Sequence, residues 1–67
     1  MYIIEWIRDF ELIEREISKA GSVSEAIAEA RANWSQVFAG LGRKPDRFRV
    51  KNNRLKELAV VALPKPR

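Results

Sequence analysis

Apolar residues recur at steps of three and four along residues Ser22–Gly42, at Val23, Ala26, Ile27, Ala30, Trp34, Val37, Phe38 and Leu41. This spacing places all of them on one face of a helix with 3.6 residues per turn. Ser22 and Glu25 have the spacing of a capping box at the start of the helix. Gly40 and Gly42 supply the left-handed conformations that commonly end one. The pattern therefore predicts an amphipathic helix over residues 22–42.

The segment before this helix, Tyr2–Ser18, fits two structures. As a helix it carries an apolar stripe at Ile3, Trp6, Ile7, Phe10, Ile13 and Ile17. As a β-hairpin it turns at Asp9-Phe10, and this register pairs Trp6 with Ile13, Tyr2 with Ile17 and Glu5 with Glu14. Enrichment in isoleucine, tyrosine and tryptophan favours the hairpin. Against it, a tight turn prefers glycine where this chain has phenylalanine, and two glutamates would face each other.

The segment after the helix also fits two structures. Residues Arg47–Lys51 alternate basic and apolar side chains, which is typical of a half-buried strand. Asn52-Asn53 can adopt the positive φ angles of a tight turn, and residues Leu55–Val61 would form the returning strand. The alternative is a helix that begins at one of the two asparagines. The run of alanine and valine at residues 59–61 favours the hairpin.

Together these elements predict an α+β domain of two layers, with the order β-β-α-β-β and an antiparallel four-stranded sheet covered by one helix. Residues 1–63 form the single domain, and residues 64–67, with two prolines, form a disordered tail. Trp34 and Phe38 lie one helical turn apart and could form a stacking platform for a planar ligand. Because both strand pairs need apolar cover, we assign them to the core instead.

Three short motifs resemble small, uncharacterised bacterial proteins of ββαββ type. They are Tyr2-Ile3-Ile4-Glu5-Trp6 with Arg8-Asp9 at the first turn, Ser24-Glu25-Ala26 leading into Ala28-Glu29-Ala30-Arg31, and Phe48-Arg49-Val50 before a polar turn. The resemblance covers nearly the whole chain and supports the first hairpin. Similar proteins commonly have glycine after the aspartate of the first turn, where this chain has Phe10. A family of unknown function implies no site residues.

The chain has 67 residues and contains neither cysteine nor histidine. A domain of this size buries only about 60% of its unfolded surface, and it has no disulfide to supplement a thin core. Self-association would add burial, which is a physical reason to expect a dimer. The N-terminus lacks the features of a signal peptide, and no stretch approaches the length of a membrane span, so we expect a cytoplasmic protein that does not enter membranes.

Catalytic chemistry has little support in these residues. Without histidine and cysteine, the commonest general base, the thiol nucleophile and the soft metal ligands are missing. Glu5, Glu14 and Glu16 could together bind a hard metal ion, but a solvated acidic strand face explains them better. Gly40 and Gly42 precede two basic residues but follow a helix, whereas a phosphate loop opens one. We expect a non-enzyme with no cofactor and no metal.

The charge is distributed unevenly. Residues 1–40 have four basic and seven acidic side chains, and residues 41–67 have nine basic and two acidic ones, which gives a total of +4. One interpretation is nucleic-acid binding by a basic strand face formed by Arg47, Arg49, Lys51 and Lys56. No exposed aromatic residue alternates with these charges to stack bases. The competing interpretation is that the acidic first hairpin and the basic second hairpin pair across the sheet.

The other functional interpretation is an interaction module. In the predicted register, Ile3, Ile7 and Leu12 lie on the sheet face that the helix leaves uncovered. Apolar patches on such faces often mark association sites, here for a second copy of the chain or for another protein. Alternatively, long arginine side chains from the second hairpin cover these three residues.

Overall fold

The structure, a computed structural model, describes residues 1–38 and 44–64. It contains β1 (Tyr2–Arg8), β2 (Glu11–Ser18), α1 (Val23–Val37), β3 (Arg47–Asn52) and β4 (Glu57–Ala62). The predicted order β-β-α-β-β is confirmed, and the helical alternatives for residues 2–18 and for the C-terminal segment are wrong. The strands form one antiparallel sheet in the order β2-β1-β3-β4. Each hairpin therefore contributes one central and one edge strand, and α1 covers one face.

The helix begins where the capping box predicts. Ser22 has an extended backbone, and its hydroxyl accepts a hydrogen bond from the Glu25 backbone N–H at 3.2 Å. The Glu25 carboxylate accepts in return from the Gly21 N–H at 3.0 Å. Helical residues end at Val37, and Gly40 and Gly42, which were expected to close the helix, lie outside the described residues.

The core lies between α1 and the sheet. Trp6 is completely buried and packs edge-on against the Phe38 ring, with 5.3 Å between the ring centroids. Its other aromatic neighbour is Phe48 of β3, at 5.1 Å. Ala26 is also buried, which lets the helix lie close to the sheet. Phe38 is a core residue and Trp34 packs against the core half-buried, so the assignment of both to packing is confirmed.

The first hairpin turns at Asp9-Phe10 without glycine. Both residues have positive φ, 50° and 67°, the conformation that a tight hairpin turn requires. Two contacts with the start of β3 hold this strained turn. The Asp9 N–H donates to an Asp46 carboxylate oxygen at 3.0 Å, and the Arg47 guanidinium lies 5.3 Å from the centroid of the Phe10 ring.

The predicted register of this hairpin is wrong beyond the turn. A β-bulge between Trp6 and Ile7 inserts one extra residue into β2, so Trp6 pairs with Glu14 and Tyr2 with Ser18. Since side chains alternate between sheet faces, one inserted residue moves every later side chain of β2 to the opposite face. Ile17, expected in the core, lies on the uncovered face and is 65% exposed.

The second hairpin forms as predicted, but its turn lies further along the chain than the predicted Asn52-Asn53. The Asn52 side chain accepts hydrogen bonds from the backbone N–H groups of Arg54 and Lys56, and positive φ occurs at Leu55 rather than at an asparagine. The returning strand begins at Glu57 and contains a second bulge, opposite the step from Val50 to Lys51 of β3.

Candidate interaction surface

The sheet face opposite α1, called the open face below, follows from the strand pairing. In β3, the buried Phe48 and Val50 point to the core, so the residues that alternate with them point away from it. Their partners across the sheet share that face. The open face is made by Ile17, Arg15 and Leu12 of β2, Ile3, Glu5 and Ile7 of β1, Lys51, Arg49 and Arg47 of β3, and Glu57, Val60 and Ala62 of β4.

A charged cluster occupies the middle of the open face. Glu5 is completely buried, and one of its carboxylate oxygens accepts from Arg15 Nε at 3.0 Å and Nη2 at 2.6 Å. The other oxygen accepts from Arg49 Nε at 2.5 Å and lies 2.9 Å from Lys51 Nζ. We call these four residues the Glu5 cluster. Cations from both neighbouring strands thus converge on one carboxylate.

The surrounding cations hold Glu5 in its charged form. Burial by itself raises the pKa of a carboxyl group, but hydrogen bonds from Lys51, Arg15 and Arg49 outweigh that effect and lower the pKa of Glu5 from 4.5 to about 2. Glu5 is consequently an anchor for three basic side chains rather than a proton acceptor. Three positive charges against one negative charge leave the cluster with a surplus of two.

Part of this positive charge is accessible. The side chains of Arg15 and Arg49 are 53% and 33% exposed. Among the described residues, Arg15 Nη1 and both Nη atoms of Arg49 have no hydrogen-bond acceptor. A guanidinium carries five N–H donors, so both side chains keep donors for an oxygen ligand while their Nε atoms remain bound to Glu5.

Apolar side chains flank the cluster on both sides. On the β2 side, Leu12 and Ile17 are 45% and 65% exposed, and on the β4 side Val60 is 53% exposed. The predicted interface residues Ile3, Ile7 and Leu12 do share this face, with Ile3 half-buried and Ile7 buried. Ile17 and Val60 were not predicted from the sequence to belong to this surface. Ile17 was missed because of the bulge, and Val60 could have been recognised as a strand position opposite Arg49.

The predicted nucleic-acid residues are only partly brought together. Arg47, Arg49 and Lys51 share the open face, as their alternation predicts. Arg47 is 3.1 Å from an Asp46 carboxylate oxygen. Lys56 is exposed and precedes β4, outside the Glu5 cluster. Of the acidic residues expected on this face, Glu5 is there, whereas the β2 bulge moves Glu14 and Glu16 to the helix side.

A groove of about 760 Å³ opens at the end of the sheet near the first turn, lined in part by Trp34, Pro45 and Leu63. Three of its charged side chains, those of Arg8, Asp46 and Arg47, are already bonded. The Arg8 guanidinium donates to the Lys44 carbonyl at 2.8 Å, and Asp46 accepts from Asp9 and Arg47. These contacts fix the first turn against β3.

Among residues 1–38 and 44–64, no group of three or more acidic side chains is placed to hold a metal ion. Within the same residues, no helix is long and apolar enough to cross a membrane. Comparison of the chain with protein-family models, with curated proteins and with solved structures finds no match. The structure has the ββαββ topology that the resemblance implies, but the comparisons identify no family.

Proposed function

We propose that this protein is a non-enzymatic interaction module whose open face binds another protein. The observation that carries the proposal is the arrangement of that face: exposed Leu12 and Ile17 on one side, exposed Val60 on the other, and a surplus of two positive charges between them. Interfaces commonly combine apolar contacts with a few oriented polar groups that fix the register.

The chemistry of the face selects the kind of partner. Because the accessible guanidinium groups of Arg15 and Arg49 keep unused donors, the complementary group is a carboxylate. Because apolar side chains lie on either side, the residues next to that carboxylate should be aliphatic or aromatic. The partner is therefore a protein segment with Asp or Glu between apolar residues.

A second copy of the chain suits this face less well. Two open faces stacked about a two-fold axis through their centres would bring two positively charged clusters together, and like charges across an interface are costly. A homodimer through the open face is nevertheless a distinct outcome of the experiment below, because it would appear without any added peptide.

The proposal is tested with a displayed peptide library. Its members carry a central Asp or Glu flanked by variable apolar residues, and a matched library carries Asn or Gln at the centre. We expect binders from the acidic library only, and these should shift the backbone NMR signals of β1, β2 and β3 on the open face. Replacing Leu12 and Ile17 together with serine should weaken binding about tenfold or more, because each buried aliphatic side chain contributes roughly 1–2 kcal/mol.

Two matched variants control for general effects. Leu55→Asn removes an exposed leucine from the β3–β4 turn, and Arg31→Gln removes an exposed positive charge from α1. Both should leave binding unchanged. Equal enrichment from the two libraries, or NMR shifts confined to α1, would show that the open face is not the binding surface. Dimerisation through the open face without peptide would replace the hetero-partner by a second copy.

Nucleic-acid binding is the second candidate, and the surplus charge of the Glu5 cluster, with Arg47 beside it on the open face, favours it. If two phosphates are neutralised, log K should fall with log salt concentration with a slope of about −1.8 for duplex DNA and about −1.4 for single strands. Fluorescence anisotropy with labelled single- and double-stranded DNA measures this slope. Replacing Arg47 and Lys56 with glutamine, which leaves the Glu5 contacts intact, should weaken binding for every sequence. Absence of binding at low salt would eliminate this candidate.

A further inference from the structure

The two edges of the sheet differ in composition. Edge strand β2 carries four charged residues within its eight positions, at Glu11, Glu14, Arg15 and Glu16. Edge strand β4 carries a single charge at its first residue, and residues 58–63 that follow, Leu-Ala-Val-Val-Ala-Leu, are all apolar. Charged residues on an edge strand hinder pairing with another sheet, and an uncharged apolar edge permits it. Only the β4 edge is therefore suited to pair with another strand.

The backbone of β4 has groups available for pairing. The Leu63 N–H donates to the Asp46 carbonyl at 2.9 Å, and the Asn52 N–H donates to the Lys56 carbonyl at 3.0 Å, so these groups bond across the hairpin. Backbone groups alternate in direction along an antiparallel strand. The N–H and C=O groups of Val60 and Ala62 consequently point away from β3, toward the outside of the sheet.

A second copy of the same strand matches this edge. In an antiparallel pair related by a two-fold axis perpendicular to the sheet, Val60 of each copy lies opposite Ala62 of the other, and their outward groups form reciprocal hydrogen bonds. No charged side chain lies within residues 58–64, so the paired segments bring no like charges together. The same axis keeps both helices on one side and both open faces on the other.

The alternative edge contacts are less favourable. Pairing of β2 with itself would bring several glutamates of the two copies together. Pairing of β2 with β4 of another copy is head-to-tail and would continue into a fibre unless it closed into a ring. Of these three pairings, only that of β4 with β4 both covers the apolar edge and gives a closed assembly.

We propose that β4 pairs antiparallel with β4 of a second copy, and that the protein forms a homodimer with one continuous eight-stranded sheet. This pairing uses the β4 edge and not the open face, which remains accessible in the dimer. The pairing would also remove from solvent an apolar strand edge that otherwise favours aggregation.

Sedimentation velocity over a concentration series tests the proposal with three proteins. The wild type should dimerise, whereas Val60→Lys should raise the dimer dissociation constant at least tenfold by placing a charge in the paired edge. Ile17→Lys places the same charge at a residue of the other edge strand that is also more than half exposed, and it should leave the dissociation constant unchanged. Ala62→Lys repeats the test if circular dichroism shows that Val60→Lys is unfolded.

Amide hydrogen exchange provides a readout that is independent of the variants. The Val60 and Ala62 amides should become protected as the protein concentration rises, while the outward amide of Ile17 on β2 should exchange at the same rate throughout. A monomer at every concentration would overturn the proposal. So would a dimer that tolerates Val60→Lys or Ala62→Lys, or one in which the Val60 and Ala62 amides stay unprotected. A monomer at every concentration would leave the binding of acidic peptides to the open face unaffected.

Discussion

Replacing Glu5 with glutamine should remove most of the stability of this domain at neutral pH. The carboxylate is fully buried, and its loss leaves Arg15, Arg49 and Lys51 facing one another without a counter-charge. Removing one partner of a buried ion pair typically costs about 3–5 kcal/mol. A domain of this size has only roughly 3–10 kcal/mol of stability in total. Urea unfolding followed by circular dichroism at pH 7 measures the difference.

The same carboxylate makes the wild-type stability depend on pH. Because folding lowers the pKa of Glu5 from 4.5 to about 2, the unfolded chain takes up a proton more readily than the folded one. The contribution, about 3 kcal/mol, is fully present above pH 4.5 and is lost as the pH falls toward 2. Acid should therefore destabilise the wild type steeply in that window, and Glu5→Gln should show little of this dependence.

Glu57→Gln is the matched control, since it removes an exposed carboxylate from the same sheet face. It should keep both the stability at pH 7 and the acid transition. Some acid sensitivity should persist even in Glu5→Gln, because the Asp9 backbone N–H and the neighbouring Arg47 lower the pKa of Asp46 as well. If Glu5→Gln stayed within 1 kcal/mol of wild type and kept the full acid transition, the Glu5 cluster would not be the electrostatic centre of the fold.

The sequence predicted the helix because two independent signals agree there. The apolar spacing determines which face of the helix is buried, and the pair Ser22 and Glu25 determines where it begins. The first hairpin had a helical alternative because its turn, Asp9-Phe10, lacks the glycine that a tight hairpin turn prefers. The positive φ angles of Asp9 and Phe10 are held by contacts of Asp9 with Asp46 and of Phe10 with Arg47, each 37 residues further along the chain, and no local pattern encodes such contacts.

The site was predicted in its chemistry but not in its geometry. Pairing of the acidic first hairpin with the basic second one was a sequence-based interpretation, and Glu5 with Arg49 and Lys51 realises it. The partner from β2 was missed, because a regular hairpin places Glu14 opposite Glu5, whereas the bulge places Arg15 there. An inserted residue such as Ile13 carries no distinctive signal, so sequence periodicity could not reveal it.

Burial of Glu5 was likewise unexpected. An acidic residue on a sheet face without a covering helix is normally solvated, and Glu5 was predicted to lie on such a surface. The structure shows that long basic side chains from both neighbouring strands can bury a carboxylate on an otherwise open face. Fixing those side chains in place also reduces the conformational entropy that they would lose on binding a partner.

Replacing Trp6 with alanine should be as damaging as the loss of Glu5, for a different reason. Trp6 is completely buried between Phe38 of the helix end and Phe48 of β3, so it joins the two layers of the domain. Truncating a buried tryptophan to alanine typically costs about 3–5 kcal/mol through lost contacts and the cavity left behind. At neutral pH the variant should be largely unfolded, as measured by far-UV circular dichroism and urea titration.

Trp6→Phe separates the contribution of aromatic packing to stability from the cost of the buried indole N–H. Among the described residues, the buried Trp6 indole N–H has no hydrogen-bond acceptor, and an unsatisfied buried donor costs about 1–3 kcal/mol. Phenylalanine leaves a smaller cavity than alanine and removes that donor, so the variant should remain folded and lose at most about 2 kcal/mol. Trp34→Phe, at a half-buried residue, should lose less still. If Trp6→Phe were as unstable as Trp6→Ala, the indole N–H would have to be bonded, and the stability that Trp6 provides would not come from aromatic packing alone.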